Sequence, residues 1–247
     1  MINNYYRPQK LEEAITLLAQ PNTLPLGGGT WLNQARPEKF GVVDLQALGL
    51  NTIGKNGNTL EIGACVTLQQ LSESSDCPEP LKKAIQLEAG LNIRNAATVA
   101  GVLVTCDGRS AFATVLLALD AKITIAHLDT TASMGLGEFL PLRPKGLITS
   151  ISIPLNVKLA FETVGRTPLD KPVVCAAVTR WASGRTRVTL GGYHQTPLLA
   201  MDGTESEGVE AAARSAFHES GDEWASSQYR SDIAATLAKR CLTAVTN

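Results

Sequence analysis

Pro25-Leu26-Gly27-Gly28-Gly29-Thr30 is the stretch on which the rest of the chain turns. It lies between a helix-patterned segment and an apolar, strand-like one. Consecutive glycines let the backbone adopt conformations closed to other residues and bring its N–H groups close to a bound group. Thr30 adds a hydroxyl and a possible N-cap. Such a turn can cradle a phosphate or pyrophosphate. It can equally be a tight surface turn, the ordinary role of clustered glycines. Its setting has to decide.

Upstream, residues 8–20 have the period of an amphipathic helix. Leu11, Ala14, Ile15 and Leu18 fall on one face, with Glu12 and Glu13 in the first turn. Downstream, Val42, Val43 and Leu45 suggest a strand. Ile53 then precedes Lys55-Asn56-Gly57-Asn58, and Leu60, Ile62 and Ala64 alternate after it. Asn-Gly between two such runs signals a hairpin. Residues 67–71 open a short helix, and 81–89 are helical by period. Residues 93–105 form a mixed apolar stretch with Gly101 inside it. Residues 112–119 read as helix, and 121–126 and 147–154 as strands, the last closed by proline. Beyond it, 173–181 and 187–193 are strands joined through Ser183-Gly184. Helices follow at about 207–218 and 227–245. In the last, Tyr229, Ile233, Leu237 and Cys241 repeat every four residues and predict one buried face. Strands and helices mix without regular alternation. The expected class is therefore α+β rather than a doubly wound sheet.

The chain has 247 residues, enough for one large domain or two modest ones, and its 44% apolar content supports a real core. With 18% charged residues and a net charge of −1, it lacks the basic excess of a nucleic-acid binder. No apolar run is long enough to span a bilayer. Met1-Ile2-Asn3-Asn4-Tyr5-Tyr6-Arg7-Pro8 is not a signal peptide, because no apolar stretch follows it. Cys65, Cys77, Cys106, Cys175 and Cys241 are far apart and odd in number. That pattern argues against a disulfide framework, a zinc ribbon or an iron–sulfur cluster held by this chain alone. They read as small apolar fillers, and the compartment as cytoplasmic.

Other chemistry finds little support. His127, His194 and His218 are widely separated, without metal-ligand spacing, and read as solvated or locally bonded. No Ser-His-Asp set is apparent, and Ser110 and Ser183 follow no nucleophile-elbow pattern. The glycine turn lacks a P-loop lysine, and no Gly-x-Gly-x-x-Gly strand–turn–helix fingerprint is present. Arg94 is either a phosphate clamp or half of a structural ion pair. Ser226, Tyr229 and Arg230 belong to the start and packing of the last helix.

Taken in order, several segments resemble the flavin-binding (medium) subunit of the molybdenum hydroxylases, the carbon monoxide and xanthine dehydrogenase type. Tyr6-Arg7-Pro8 with Leu11-Glu12-Glu13-Ala14 is similar to the family's opening. Leu26-Gly27-Gly28-Gly29-Thr30 resembles its first flavin motif. Ile93-Arg94-Asn95-Ala96-Ala97-Thr98-Val99-Ala100-Gly101 resembles its second. Val43-Asp44-Leu45, Ile62-Gly63-Ala64, Leu119-Asp120-Ala121, Ile153-Pro154 and the segment from Gly191-Gly192 to Thr196-Pro197 follow in the expected order.

The resemblance implies a two-part flavin-binding domain over 1–154, followed by a small antiparallel-sheet-plus-helices domain over 155–247. It implies FAD lying extended, its pyrophosphate against both glycine motifs. The implied cofactor contacts are Leu26, Gly27, Gly28, Gly29, Thr30 and Trp31 in the first motif. Thr98, Ala100 and Gly101 belong to the second, and Asp107 and Ile148 lie further on. No side chain is implied as a general acid or base, and none binds metal. Electrons would arrive from a molybdopterin-binding subunit by way of an iron–sulfur subunit, and leave through FAD to an external acceptor.

The chain departs from the family pattern at Trp31, Ala100, Val102, Ala111 and Glu162. Trp31 stands where the first motif usually has an acid. Ala100 and Val102 stand where the second usually has Gly and Asn, and Ala111 where an Asp usually follows. Glu162 replaces a Lys-like residue. Asp107 is a shifted substitute for the lost acid, and Trp31 a possible stacking partner for a ring. The departures are also what a flavin-free scaffold or assembly subunit would display, the alternative reading.

Overall fold

The computed structural model describes residues 1–34, 37–167 and 170–247. The chain first forms β1 (Ile2–Tyr6), α1 (Leu11–Leu18), β2 (Thr23–Leu26) and β3 (Phe40–Asp44). These make a three-stranded parallel sheet in the order β1-β3-β2. The central strand β3 is buried along its whole length, while β1 is largely exposed. The helix expected over 8–20 is shorter at both ends. The N-terminal strand was not expected, because Ile2-Asn3-Asn4-Tyr5-Tyr6 carries little apolar alternation and is held by its ladder with β3.

The second sheet comprises β4 (Ile53–Asn56), β5 (Thr59–Gly63), β6 (Lys122–Ala126), β7 (Thr131–Gly135) and β8 (Leu147–Pro154). Its order is β4-β5-β8-β6-β7, antiparallel throughout. The β4–β5 hairpin turns at Gly57, whose φ of +57° explains the Asn-Gly signal. Between β5 and β6 run α2 (Leu68–Glu73), α3 (Glu79–Glu88), α4 (Leu91–Arg94), α5 (Val99–Thr105) and α6 (Ala111–Ala118). The stretch over 93–105 thus resolves into two short helices separated by a loop. After β7, α7 (Leu136–Leu142) leads back towards β8.

The third sheet is antiparallel, in the order β12-β11-β10-β9, built from β9 (Val157–Val164), β10 (Val174–Trp181), β11 (Thr186–Gly191) and β12 (Leu198–Gly203). Helices α8 (Val209–Ala216) and α9 (Ser227–Thr246) cover one face. Three separate sheets with helices packed against them make the fold α+β, as expected.

Helix α6 explains how these parts hold together. Every one of its residues is buried, as a helix apolar on all sides must be. Its Thr114 carbonyl accepts a 2.8 Å bond from the Thr189 hydroxyl on β11. Phe161, Cys175 and Ala177 of the third sheet join the same core as Leu60, Ile123 and Ile151 of the second. The apolar interior is therefore continuous across Pro154.

In α9 the buried row differs from the four-residue repeat. Tyr229 is 44% exposed and Ile233 half-buried, whereas Arg230, Ala234, Leu237, Ala238, Cys241 and Val245 are buried. A four-residue step overshoots the 3.6-residue turn, so such a row winds off the core within a few steps. Ser226 caps this helix through the Tyr229 N–H.

Candidate functional site

The glycine loop begins where β2 ends. The Leu26 carbonyl accepts the Leu45 N–H at 3.1 Å, the last rung of the β2–β3 ladder. The chain then turns, with Gly29 at φ +70°. The Gly29 carbonyl accepts the Asn33 N–H at 3.1 Å. Among the described residues, the N–H groups of Gly27, Gly28, Gly29 and Thr30 find no acceptor within the protein. Successive unclaimed donors at a turn attract an anion.

The second glycine-bearing loop presses against the first. A Cβ on Gly28 would fall 1.5 Å from the Ala96 carbonyl oxygen, and one on Gly27 would lie 3.0 Å from the Thr98 hydroxyl. Glycine at 28 is thus demanded by contact between two backbones. The donors of this second loop are mostly engaged. The Ala97 N–H bonds to the Ile93 carbonyl at 2.7 Å, Val99 to Val66 at 2.9 Å and Ala100 to Ala64 at 3.3 Å. The Gly101 N–H goes to the Thr98 hydroxyl at 3.2 Å, since Thr98 is the N-cap of α5. The Ala100 and Gly101 N–H groups thus already have acceptors within the protein.

Between the loops lies a half-open cleft of about 530 Å³. Gly27, Gly28, Ala96 and Thr98 form one wall. The side chains of Gln46, Asn51, Gln70 and Asn95 are neutral polar groups along the rest, with Cys65 and Arg7. Arg7 is the one charged residue among those lining it. Its Nε lies 3.8 Å from the carboxylate of Asp44, which is 4% exposed. That carboxylate also accepts the Gln46 N–H at 2.9 Å and the Tyr5 hydroxyl. The bond to Asp44 raises the Tyr5 phenol, and burial pushes the Cys65 thiol up to about 11, making it an unreactive wall group. Thr67 caps α2 in a reciprocal box with Gln70, which fixes that side of the cleft.

Of the residues predicted for the site, Gly27, Gly28 and Thr98 line the cleft, while Leu26, Gly29 and Thr30 belong to the same loop. The rest lie outside its lining. Trp31 is 44% exposed, and Ala100 and Gly101 sit in the first turn of α5. Asp107 lies beyond the far end of α5, 3.5 Å from Lys171. Ile148 is buried on β8, opposite Ile125. The positions of departure are no closer. Val102 packs on the core and Glu162 pairs with Ala176 on the third sheet. Ala111 is fully buried in the first turn of α6. There a single oxygen of Glu88 accepts the Ser110 hydroxyl at 2.8 Å and the Phe112 N–H at 3.0 Å. Burial pushes the Glu88 carboxyl above its usual range.

Among the described residues Arg94 forms no ion pair. Its guanidinium bonds Gln69 Oε1 at 3.1 Å and the Ala89 carbonyl at 2.8 Å, pinning the turn before α4. His194 is locally bonded, with Nε2 2.9 Å from the Ser220 hydroxyl. It borders a second, shallower hollow of about 420 Å³ with Asp107, Arg109, Tyr193, Gln195 and Asp222. Sequence reasoning missed Arg7, Gln46, Asn51, Gln70 and Asn95 as cleft residues. Only Arg7, next to Pro8 in the opening motif, and Asn95, within the second glycine motif, carried any signal.

Residues 1–156 match the family model described as the FAD binding domain in molybdopterin dehydrogenase. The alpha subunit of the 6-hydroxypseudooxynicotine dehydrogenase complex of Paenarthrobacter nicotinovorans is 28% identical, covering 97% of this chain and 93% of that one. The glyceraldehyde dehydrogenase medium chain of Sulfolobus acidocaldarius is 25% identical over 81% of this chain and 78% of its own. In fold, the chain is similar to reconstituted CO dehydrogenase from Oligotropha carboxidovorans, with a TM-score of 0.83 at 24% identity, covering 98% and 96% of the two chains. Quinoline 2-oxidoreductase from Pseudomonas putida 86 gives a TM-score of 0.80 at 22% identity, with the same coverage of 98% and 96%. Among the described residues no helix is long and apolar enough to cross a membrane. With the family model spanning more than half its length, the chain belongs to the FAD-binding domains of molybdopterin dehydrogenases and is an oxidoreductase subunit of that kind.

Proposed function

We propose that this chain is the electron-transfer flavoprotein subunit of a cytoplasmic molybdenum-containing hydroxylase or dehydrogenase. Residues 1–154 serve as the FAD domain and 155–247 as the flavoprotein C-terminal domain. Electrons come from an iron–sulfur subunit served by a molybdopterin-binding subunit, and pass to an external acceptor. The observation that carries this reading is the row of N–H groups at Gly27, Gly28, Gly29 and Thr30, unclaimed among the described residues, in a loop whose Gly27 and Gly28 line a polar cleft. It fits a pyrophosphate, whose oxygens need several donors at close approach.

When bound, FAD would supply the ability to collect single electrons and release a pair. The protein's own part is binding and orientation. Leu26 anchors the loop to the sheet, and Gly27 to Thr30 donate to the phosphate oxygens. Thr98 presents its hydroxyl, and an N–H without an acceptor among the described residues, from the same wall. The amides of Gln46, Asn51, Gln70 and Asn95 offer both donors and acceptors to the sugar and base. Trp31, Ala100, Gly101, Asp107 and Ile148 remain further contacts for the parts of an extended dinucleotide that reach beyond the cleft. Neither Ala100 nor Val102 obstructs the cleft, so the departures give the flavin-free scaffold no structural footing. The names of the relatives, a complex subunit and a medium chain, favour partners.

The test is the absorption spectrum of the purified chain before and after incubation with FAD, together with co-expression beside its native neighbours. Flavin maxima near stoichiometric occupancy and recovery of a complex holding iron and molybdenum are expected. A chain that stays colourless with excess FAD would replace this reading with the scaffold.

A further inference from the structure

Arg7 has no part in the glycine motifs, yet it brings the single formal charge to the cleft. Its setting is built rather than incidental. Asp44 is 4% exposed and receives Tyr5, the Gln46 N–H and Arg7 Nε together. That carboxylate holds the guanidinium by its inner edge. Among the described residues, the two outer nitrogens of Arg7 have no protein acceptor. A guanidinium presents its donors as a planar fork suited to a phosphate oxygen pair. Its site lies on the same cleft as the unclaimed N–H groups of Gly27 and Gly28.

We infer that Arg7 is the counter-charge of the cofactor's pyrophosphate and that Asp44 is its positioning residue. The inference rests on the FAD reading and deepens it. Backbone N–H groups carry only partial charge, and the other side chains lining the cleft are neutral. A doubly charged pyrophosphate there needs a cation's donors at close range, and Arg7, its charge shared with Asp44, is the cation among the lining residues. The predicted consequence is selectivity. The cleft should distinguish ligands by phosphate content, favouring FAD and ADP over riboflavin and adenosine.

The experiment measures binding of FAD, ADP and adenosine to the full chain by calorimetry, for wild type, Arg7→Gln and Arg7→Lys. The Arg7 side chain is 54% exposed, so neither substitution disturbs the core. Arg7→Gln should weaken FAD and ADP by about 10- to 100-fold, the range for a hydrogen bond to a charged group, and leave adenosine unchanged. Arg7→Lys should recover part of the loss, because it restores charge without the fork. Equal affinity of wild type and Arg7→Gln for ADP, or an equal loss for adenosine, would overturn the role of Arg7 while leaving FAD binding intact. A wild-type chain that binds neither FAD nor ADP would instead remove the functional reading, and this inference with it.

Discussion

The loops 27–30 and 98–101 pack against each other beside one cleft, but their backbones are engaged in different ways. In the first, four consecutive N–H groups have no partner among the described residues. In the second, Val99, Ala100 and Gly101 are bonded to Val66, Ala64 and the Thr98 hydroxyl. The same holds for the next helix, whose N-terminal donors are taken by Ser110 and Glu88. A helix start whose donors are already capped has less to offer an anion. In the function proposed above, the contrast gives the first loop the binding role and the second a supporting one. It also explains why substitutions at Ala100 and Val102 can be accommodated.

Four substitutions can break or sharpen this contrast. The largest effect is expected for Ala111→Asp, which would place an acid where the pattern described under Sequence analysis has one. Position 111 is fully buried beside Glu88, so a second carboxylate there should cost about 3–5 kcal/mol in urea denaturation. Unchanged stability with tighter FAD binding would mean that the second region contacts the cofactor directly.

Gly28→Val comes next. Its Cβ would overlap the Ala96 carbonyl, so the fold itself should lose about 3 kcal/mol, seen as a lowered melting temperature alongside lost FAD binding. Loss of FAD at an unaltered melting temperature would show that the glycine makes room for phosphate and not for the neighbouring loop. Thr98→Ala removes the cap of α5 and should cost about 1 kcal/mol. FAD affinity should fall by no more than about tenfold, the effect of one neutral hydrogen bond. A loss beyond that would make Thr98 a principal ligand.

The smallest effect is expected for Ala100→Gly. In the first turn of α5 it should cost at most about 1 kcal/mol, from glycine's poor helix propensity. FAD affinity should stay within about twofold in a fluorescence titration. A tenfold gain would return the second loop to the role of cradle.

Much of this was legible in local pattern. Asn56-Gly57 marked the β4–β5 hairpin, the period over 81–89 marked α3, and the run over 112–119 marked α6. Gly27 and Gly28 were found because a tight loop leaves a compositional trace. Of the cleft's polar side chains, only Arg7 and Asn95 stood in a recognisable motif. Arg7, Gln46, Asn51, Gln70 and Asn95 come from separate loops and short helices, and only the sheet topology brings them together. Nor could sequence tell an N–H that is free from one that is capped, since that depends on partners such as Val66 and Ala64 far along the chain. Ala111 illustrates the same limit. Its departure from pattern suggested a lost contact, whereas its burial beside Glu88 makes the small side chain a fit.

The meeting of Gly28 with Ala96 also bears on how this lineage can change. Selection on the contact between two backbones would preserve that glycine whether or not a nucleotide were ever bound. A descendant that abandoned its cofactor would still inherit the motif, because drift at position 28 would first be removed as a folding defect. Retention of the glycine is thus a record of architecture. The residues free to erode once binding ceased to matter are those least tied into the packing, and Arg7, its side chain 54% exposed, is one of them.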